Sequence, residues 1–146
     1  MYSAINIAKY IINKCIELNR PISNLQLQKI LYYVQGEYIK LNNGKILFDD
    51  DIMAWKYGPV VPTVYYEFNQ YSSSDIDTEQ ENEVIENHVK NIIDPVIINK
   101  SMLSAWKLVE DTHNELPWKT SYQIGQDIIE ISTMKDFFVN DKEDNK

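Results

Sequence analysis

SNLQLQKILYYVQGEYIKLNNG, residues 23–44, decides the fold. Ser23-Asn24-Leu25-Gln26 is a capping box, in which the serine hydroxyl and the glutamine three residues on satisfy orphan amides of a helix start. Leu27, Ile30, Leu31, Val34 and Tyr38 then recur at helical spacing on one face. Asn42-Asn43-Gly44 closes the helix, because glycine takes the left-handed conformation that a stop needs. The tandem Tyr32-Tyr33 is harder to place. Adjacent helical residues sit about 100° apart, so one of the two is expected at the boundary or the surface.

Upstream, residues 3–18 read as an amphipathic helix capped by Ser3, with Ala4, Ile5, Ala8, Ile11, Ile12, Cys15 and Ile16 at three- and four-residue steps. Arg20-Pro21 ends it. Downstream, Ile46-Leu47-Phe48 and Ile52-Met53-Ala54-Trp55 are short apolar pieces around Asp49-Asp50-Asp51, which suggests a small hairpin or two extended arms. Gly58-Pro59 is a turn signal, and Pro62 fits the first position of a helix running through Phe68. Residues 72–83 are acidic and apolar-poor, as a solvated loop is. Val84 to Ile93 is expected to be helical and to end at Asp94-Pro95. Ser101 to Asp111 is expected as a helix with Met102, Leu103, Trp106 and Val109 inward. Ile128 to Ile131 reads as a third strand, and Ser132 starts a last short helix through Phe138. The expectation is a mainly α (α+β) domain: a compact bundle of about five or six helices with a small two- or three-stranded sheet. One domain spans 1–139, with a polar frayed tail at 140–146.

Composition narrows the function. The chain has 146 residues, 44% hydrophobic and 25% charged, which is ordinary for one globular domain. A single cysteine, Cys15, excludes an intramolecular disulfide and a multi-cysteine zinc cluster, and its apolar setting makes it a poor nucleophile. Residues 1–66 carry seven Lys and Arg against five Asp and Glu, whereas residues 67–146 carry seven against seventeen. A net charge of −8 with Arg20 as the one arginine makes nucleic acid an unlikely partner and disfavours anionic lipid. The absence of a leader or an apolar span makes the cytoplasm the expected location.

The concentrated polar group is Asp111-Thr112-His113-Asn114-Glu115. Asp111, His113 and Glu115 could be metal ligands, or His113 a base; the plainer reading is a helix end with its histidine on the turn. No phosphate-binding, metalloprotease or nucleophile-elbow pattern occurs. Catalytic residues, metal and cofactors are therefore all expected to be none. The aromatic load is more telling: ten tyrosines, several clustered with Trp55, suit a surface that binds another protein, or else a tyrosine-rich core edge.

Three segments together then resemble a known family. Leu25 to Gly36, Phe48 to Tyr65 with its Ala54-Trp55-Lys56-Tyr57-Gly58-Pro59-Val60-Val61-Pro62 core, and Leu108 to Trp118 with its Thr112-His113-Asn114-Glu115-Leu116-Pro117-Trp118 end are similar in order and spacing to the Panacea antitoxin domain, the SocA-like or GepA-like phage-associated family. The resemblance implies an antitoxin of a type II-like toxin–antitoxin system that neutralises a cognate protein toxin by direct binding. Alternatives within it are an adaptor that delivers the toxin to the ClpXP protease, or a phage-encoded inhibitor of a host protein. The candidate partner-binding residues are Tyr33, Trp55, Tyr57, Tyr65, His113 and Trp118, arranged around a groove between the tyrosine-rich helix and the His113 turn. For Trp55, Gly58, Pro59 and Trp118 a packing or backbone role is the stronger reading.

Overall fold

The computed structural model describes residues 1–140. Residues 141–146, most of the expected tail, lie outside the described residues; Asn140 itself is helical. The described residues form seven α-helices and one two-stranded sheet: α1 Ala4–Glu17, α2 Asn24–Leu41, β1 Met53–Trp55, β2 Gly58–Val60, α3 Pro62–Glu67, α4 Asn87–Lys100, α5 Ala105–His113, α6 Leu116–Gln123 and α7 Ile131–Asn140, with a 3-10 turn at Asn69–Tyr71. The mainly helical bundle with a small sheet is as the sequence implies. The additional helix is α6, which begins at Leu116-Pro117, where the sequence suggested only a change of direction.

Helix α2 is the axis of the bundle. Helices α1, α3, α4, α5 and α7 and strand β2 all pack on it, so it has no face left for water along most of its length. Tyr32 and Tyr33 are consequently both buried, each with its hydroxyl on Glu115 and its ring edge-on to Phe138, and the expectation that one would lie at the boundary or the surface is corrected. The expected caps are present: Ser3 accepts from the Asn6 amide, and Ser23 and Gln26 form the reciprocal box. Asp50 adds an unforeseen cap, accepting from the Ala4 amide at 3.0 Å and from Thr63 Oγ1 at 3.0 Å, so one carboxylate ties the starts of α1 and α3 together.

Other boundaries move for identifiable reasons. The hairpin pairs Met53 with Val60 and Trp55 with Gly58, so its turn is Lys56-Tyr57 and Gly58-Pro59 lies inside β2; Ile46 to Phe48 joins only through a bridge between Phe48 and Tyr2. Helix α4 runs through Pro95 instead of ending before it. Asn91, whose carbonyl loses its partner there, is exposed to water, while Val89, Ile93 and Ile97 bury the opposite face. Helix α5 starts at Ser104 rather than Ser101, which leaves Met102 outside it; its buried face is Leu108, Val109 and Thr112, and Trp106, about 200° round the helix from Leu108, is exposed. Ile128 makes a single bridge to Met53, and the chain then enters α7, so the third strand does not form.

Candidate functional site

The site is built on a hairpin that the interior of α2 holds from below. Three polar side chains on α2 are fully enclosed, and each is bonded to backbone outside its own helix. Gln28 accepts from the Val61 amide at 2.8 Å and donates to Asn24 Oδ1 at 2.9 Å, while Asn24 donates to the Tyr65 carbonyl. Lys29 Nζ donates to the Pro59 carbonyl at 3.0 Å. Gln35 donates to the Phe48 carbonyl at 2.7 Å and accepts from the Leu47 amide at 2.8 Å. Irregular backbone cannot be buried without such partners, so these side chains act as substitute strand edges. Burial alone brings the Lys29 ammonium down to about 7.

Gly58 explains how closely the hairpin seats. Its φ is +111°, and a Cβ there would meet Lys29 Cε at 2.6 Å and Thr112 Oγ1 at 2.9 Å. With the hairpin pressed onto α2 and α5, the side chains of Trp55, Tyr57 and Tyr65 line a groove of about 350 Å³ together with Leu25 and Val60. Trp55 meets Tyr65 edge-on at 5.3 Å and Tyr66 at 6.3 Å, and Tyr57 meets Trp106 at 5.5 Å. Tyr66 is 65% exposed, Trp106 61% and Tyr57 47%. An aromatic band therefore crosses the hairpin from Trp106 to Tyr66. Such an exposed cluster marks an interaction surface far more often than a lone exposed apolar residue does.

The other candidates lie elsewhere. Tyr33 is buried, and its hydroxyl donates to Glu115 Oε2 at 2.8 Å while Tyr32 donates to Oε1 at 3.0 Å. Burial lifts the Glu115 carboxyl to about 7, against the two hydroxyl bonds and the Lys100 charge that favour its ionised form. Trp118 is also buried; its indole donates to the Trp55 carbonyl at 2.7 Å, and it lies between stacked His113 at 3.9 Å and Tyr122 at 4.6 Å. His113 Nε2 lies 3.1 Å from the Lys56 carbonyl, an acceptor, so that nitrogen carries the proton. Partial burial lowers the histidine's affinity for a second proton. Tyr33 and Trp118 are thus engaged within the protein, and the aromatic groove lies between the hairpin, α3 and the start of α2; a second cavity, of about 280 Å³, lies beside Tyr33 and Glu115, between α2 and the turn after His113.

Asp111, His113 and Glu115 do not converge. Asp111 pairs with Lys107 at 2.9 Å, and the other two are engaged as just described. Among the described residues no group of three or more His, Cys, Asp or Glu is placed to hold a metal ion. No helix among them is long and apolar enough to cross a membrane. Tyr66 and Trp106, which meet Trp55 and Tyr57 beside the groove, are the exposed aromatic residues that sequence reasoning missed. The sequence names Tyr65 and not Tyr66, and it groups Trp106 with Val109, whereas the buried face of α5 is that of Leu108, Val109 and Thr112.

The family model described as "Antitoxin SocA-like, Panacea domain" matches residues 27–119, from the middle of the α2 capping turn to α6. The chain belongs to this family. The chain is also 42% identical over 59 residues to a protein named Antitoxin SocA from Caulobacter vibrioides (strain NA1000 / CB15N). That alignment covers 40% of this chain and 31% of the relative, so the chain spans about a third of the length of the curated protein it matches. No solved structure matches it. The matched stretch contains the enclosed Gln28, Lys29 and Gln35, the hairpin, and the His113–Trp118 stack. Helices α1 and α7 lie outside it, yet both pack on the Panacea α2, and Phe138 of α7 fills the notch that Gly36 leaves.

Proposed function

We propose that this protein is an antitoxin that neutralises a cognate protein toxin by direct contact, and that the contact face is the aromatic band on the hairpin. The observation that carries this reading is the contrast in the hairpin itself. Its backbone is clamped from below by Lys29, Gln28 and Trp118, and its aromatic side chains stand outward on that rigid mount. Rigid aromatic residues supply large contact area at little entropic cost, which is why they dominate interface hot spots. Of the six candidate residues, Trp55, Tyr57 and Tyr65 take the contact role; Tyr33, His113 and Trp118 hold the mount. Family membership supports the antitoxin reading, and the cytoplasm is where such a partner would be met.

Co-expression with each adjacent reading frame tests it. The expected result is that one neighbour arrests growth alone, is tolerated together with this protein, and co-purifies with it. No rescue and no co-purification with any neighbour would contradict it. A second reading, delivery of the toxin to ClpXP, is favoured by the 42% identity to Antitoxin SocA through the SocA-like resemblance. It requires the toxin's half-life to shorten in the presence of this protein, and to do so only with active ClpXP.

A further inference from the structure

We infer that the groove receives a basic partner segment carrying one bulky apolar anchor, with its positive residues running toward the 72–83 loop. This inference rests on reading the groove as the partner-contact face and adds the chemistry of what enters it. The groove floor is apolar, formed by Leu25, Val60 and the rings of Trp55, Tyr57 and Tyr65, and it has room for one large side chain. Its two rims differ. The hairpin rim carries Lys56, whose ammonium sits over the Tyr57 ring at 5.4 Å. The opposite rim is Ser72 and Ser73, and from there the chain reads Asp75-Ile76-Asp77-Thr78-Glu79-Gln80-Glu81-Asn82-Glu83.

That segment alternates, with every second residue acidic. Ile76 is buried, its amide donating to the Ile22 carbonyl at 2.7 Å, and the Gln80 backbone exchanges two hydrogen bonds with the Asn13 side chain, so the segment is fastened to the protein at these two points. Asp75, Asp77, Glu79, Glu81 and Glu83 are all exposed. The chain bends at Thr78 and carries Glu79 to the cavity of Tyr10 and Lys14, so Asp75 and Asp77 are the carboxylates that follow the Ser72-Ser73 edge directly and make it an acidic ridge. A basic segment anchored in the groove lies along that ridge, and an acidic one is repelled by it. Lys56 sets the direction, because it disfavours positive charge on the hairpin side.

Proton–nitrogen NMR titration of the full chain with three synthetic twelve-residue peptides tests this. The first has one tryptophan followed by four lysines, the second replaces the lysines by glutamates, and the third replaces the tryptophan by alanine. The basic peptide is expected to shift the Trp55 indole and the amides of Tyr57, Ser72 and Asp75. Both twins should bind about ten-fold more weakly, and raising salt from about 50 to about 300 mM should weaken the basic peptide by a similar factor. Asp75→Asn with Asp77→Asn should weaken it about five-fold without disturbing the spectrum of the core. Equal binding of the acidic twin overturns the inference, as do shifts confined to residues 79–83 that persist with the alanine twin. The titration uses no toxin. A failed co-purification alongside groove binding here condemns the antitoxin reading, whereas co-purification with no groove binding here condemns this inference alone.

Discussion

Helix α2 and the hairpin above it use polar and aromatic residues in opposite ways. On α2 the side chains that look suited to chemistry (Gln28, Lys29, Tyr32, Tyr33, Gln35) are enclosed and bonded to the protein's own backbone or to Glu115. On the hairpin and α3, Tyr57 and Tyr66 are exposed, and their rings meet neighbouring aromatics and, at Tyr57, the Lys56 ammonium. The difference teaches that the polar and aromatic residues of α2 are architecture, and that the proposed partner contact falls to the rings of the hairpin and α3 that it supports.

The sharpest way to break the contrast is at Gln35. Gln35→Leu keeps the bulk but leaves the Phe48 carbonyl and the Leu47 amide without partners in a water-free site, and should cost about 3–5 kcal/mol in denaturant unfolding, since each orphaned group costs about 1–3 kcal/mol. An α2 side chain that was merely a surface contact would cost a tenth of that. Gly36 follows: a Cβ there would sit 2.3 Å from the Phe138 ring, so Gly36→Ala should cost about 1–3 kcal/mol by overpacking. Combined with Phe138→Ala, the loss should be clearly less than the sum of the two single losses. Additive losses would mean that α7 does not rest on this notch.

A pH series separates two enclosed groups. Lys29 binds its proton less tightly folded than unfolded, with a folded value of about 7, so folding releases a proton and stability rises between about pH 7 and pH 10. Glu115 has its folded value raised to about 7, so its contribution is present at low pH and is lost as pH rises from the ordinary carboxyl range through 7. The two trends place a stability minimum near pH 7. Lys29→Met should abolish the rise above pH 7 and leave the fall below it, read as unfolding midpoints at pH 5, 7 and 9.

The frame was legible in the sequence and the faces were not. Ser3, Ser23 with Gln26, and Pro62 announce helix starts through local chemistry, and they lie where expected. Periodicity assumes that a helix has one wet side. Helix α2 has almost none, so its polar residues were assigned outward when they are the clamps of the interior. A signal was available: a long helix with so few charges, carrying Gln28, Lys29 and Gln35 among apolar neighbours, resembles a buried helix more than an amphipathic one. Trp106 was misplaced because its three-residue spacing from Val109 fits a shared face, and only packing selects the face of Leu108 and Thr112 as the inward one. The groove unites residues far apart in the chain through backbone held by α2, and no spacing rule reports that.

A smaller effect is expected at Ser72, which sits at φ +52°, ψ −123° in the turn closed by the Ser74 amide on the Tyr71 carbonyl. That conformation favours glycine, so Ser72→Gly should raise stability by roughly 1 kcal/mol while leaving the groove's floor unchanged.

The most direct measurement pairs binding with stability in one variant, Tyr57→Ala with Tyr66→Ala, assayed for rescue of growth from whichever co-expressed neighbour proves toxic and for thermal unfolding. The account predicts unfolding within about 2 °C of the parent, as for surface changes of under about 0.5 kcal/mol, together with loss of toxin rescue and of co-purification. Full rescue by a variant that folds normally would contradict it.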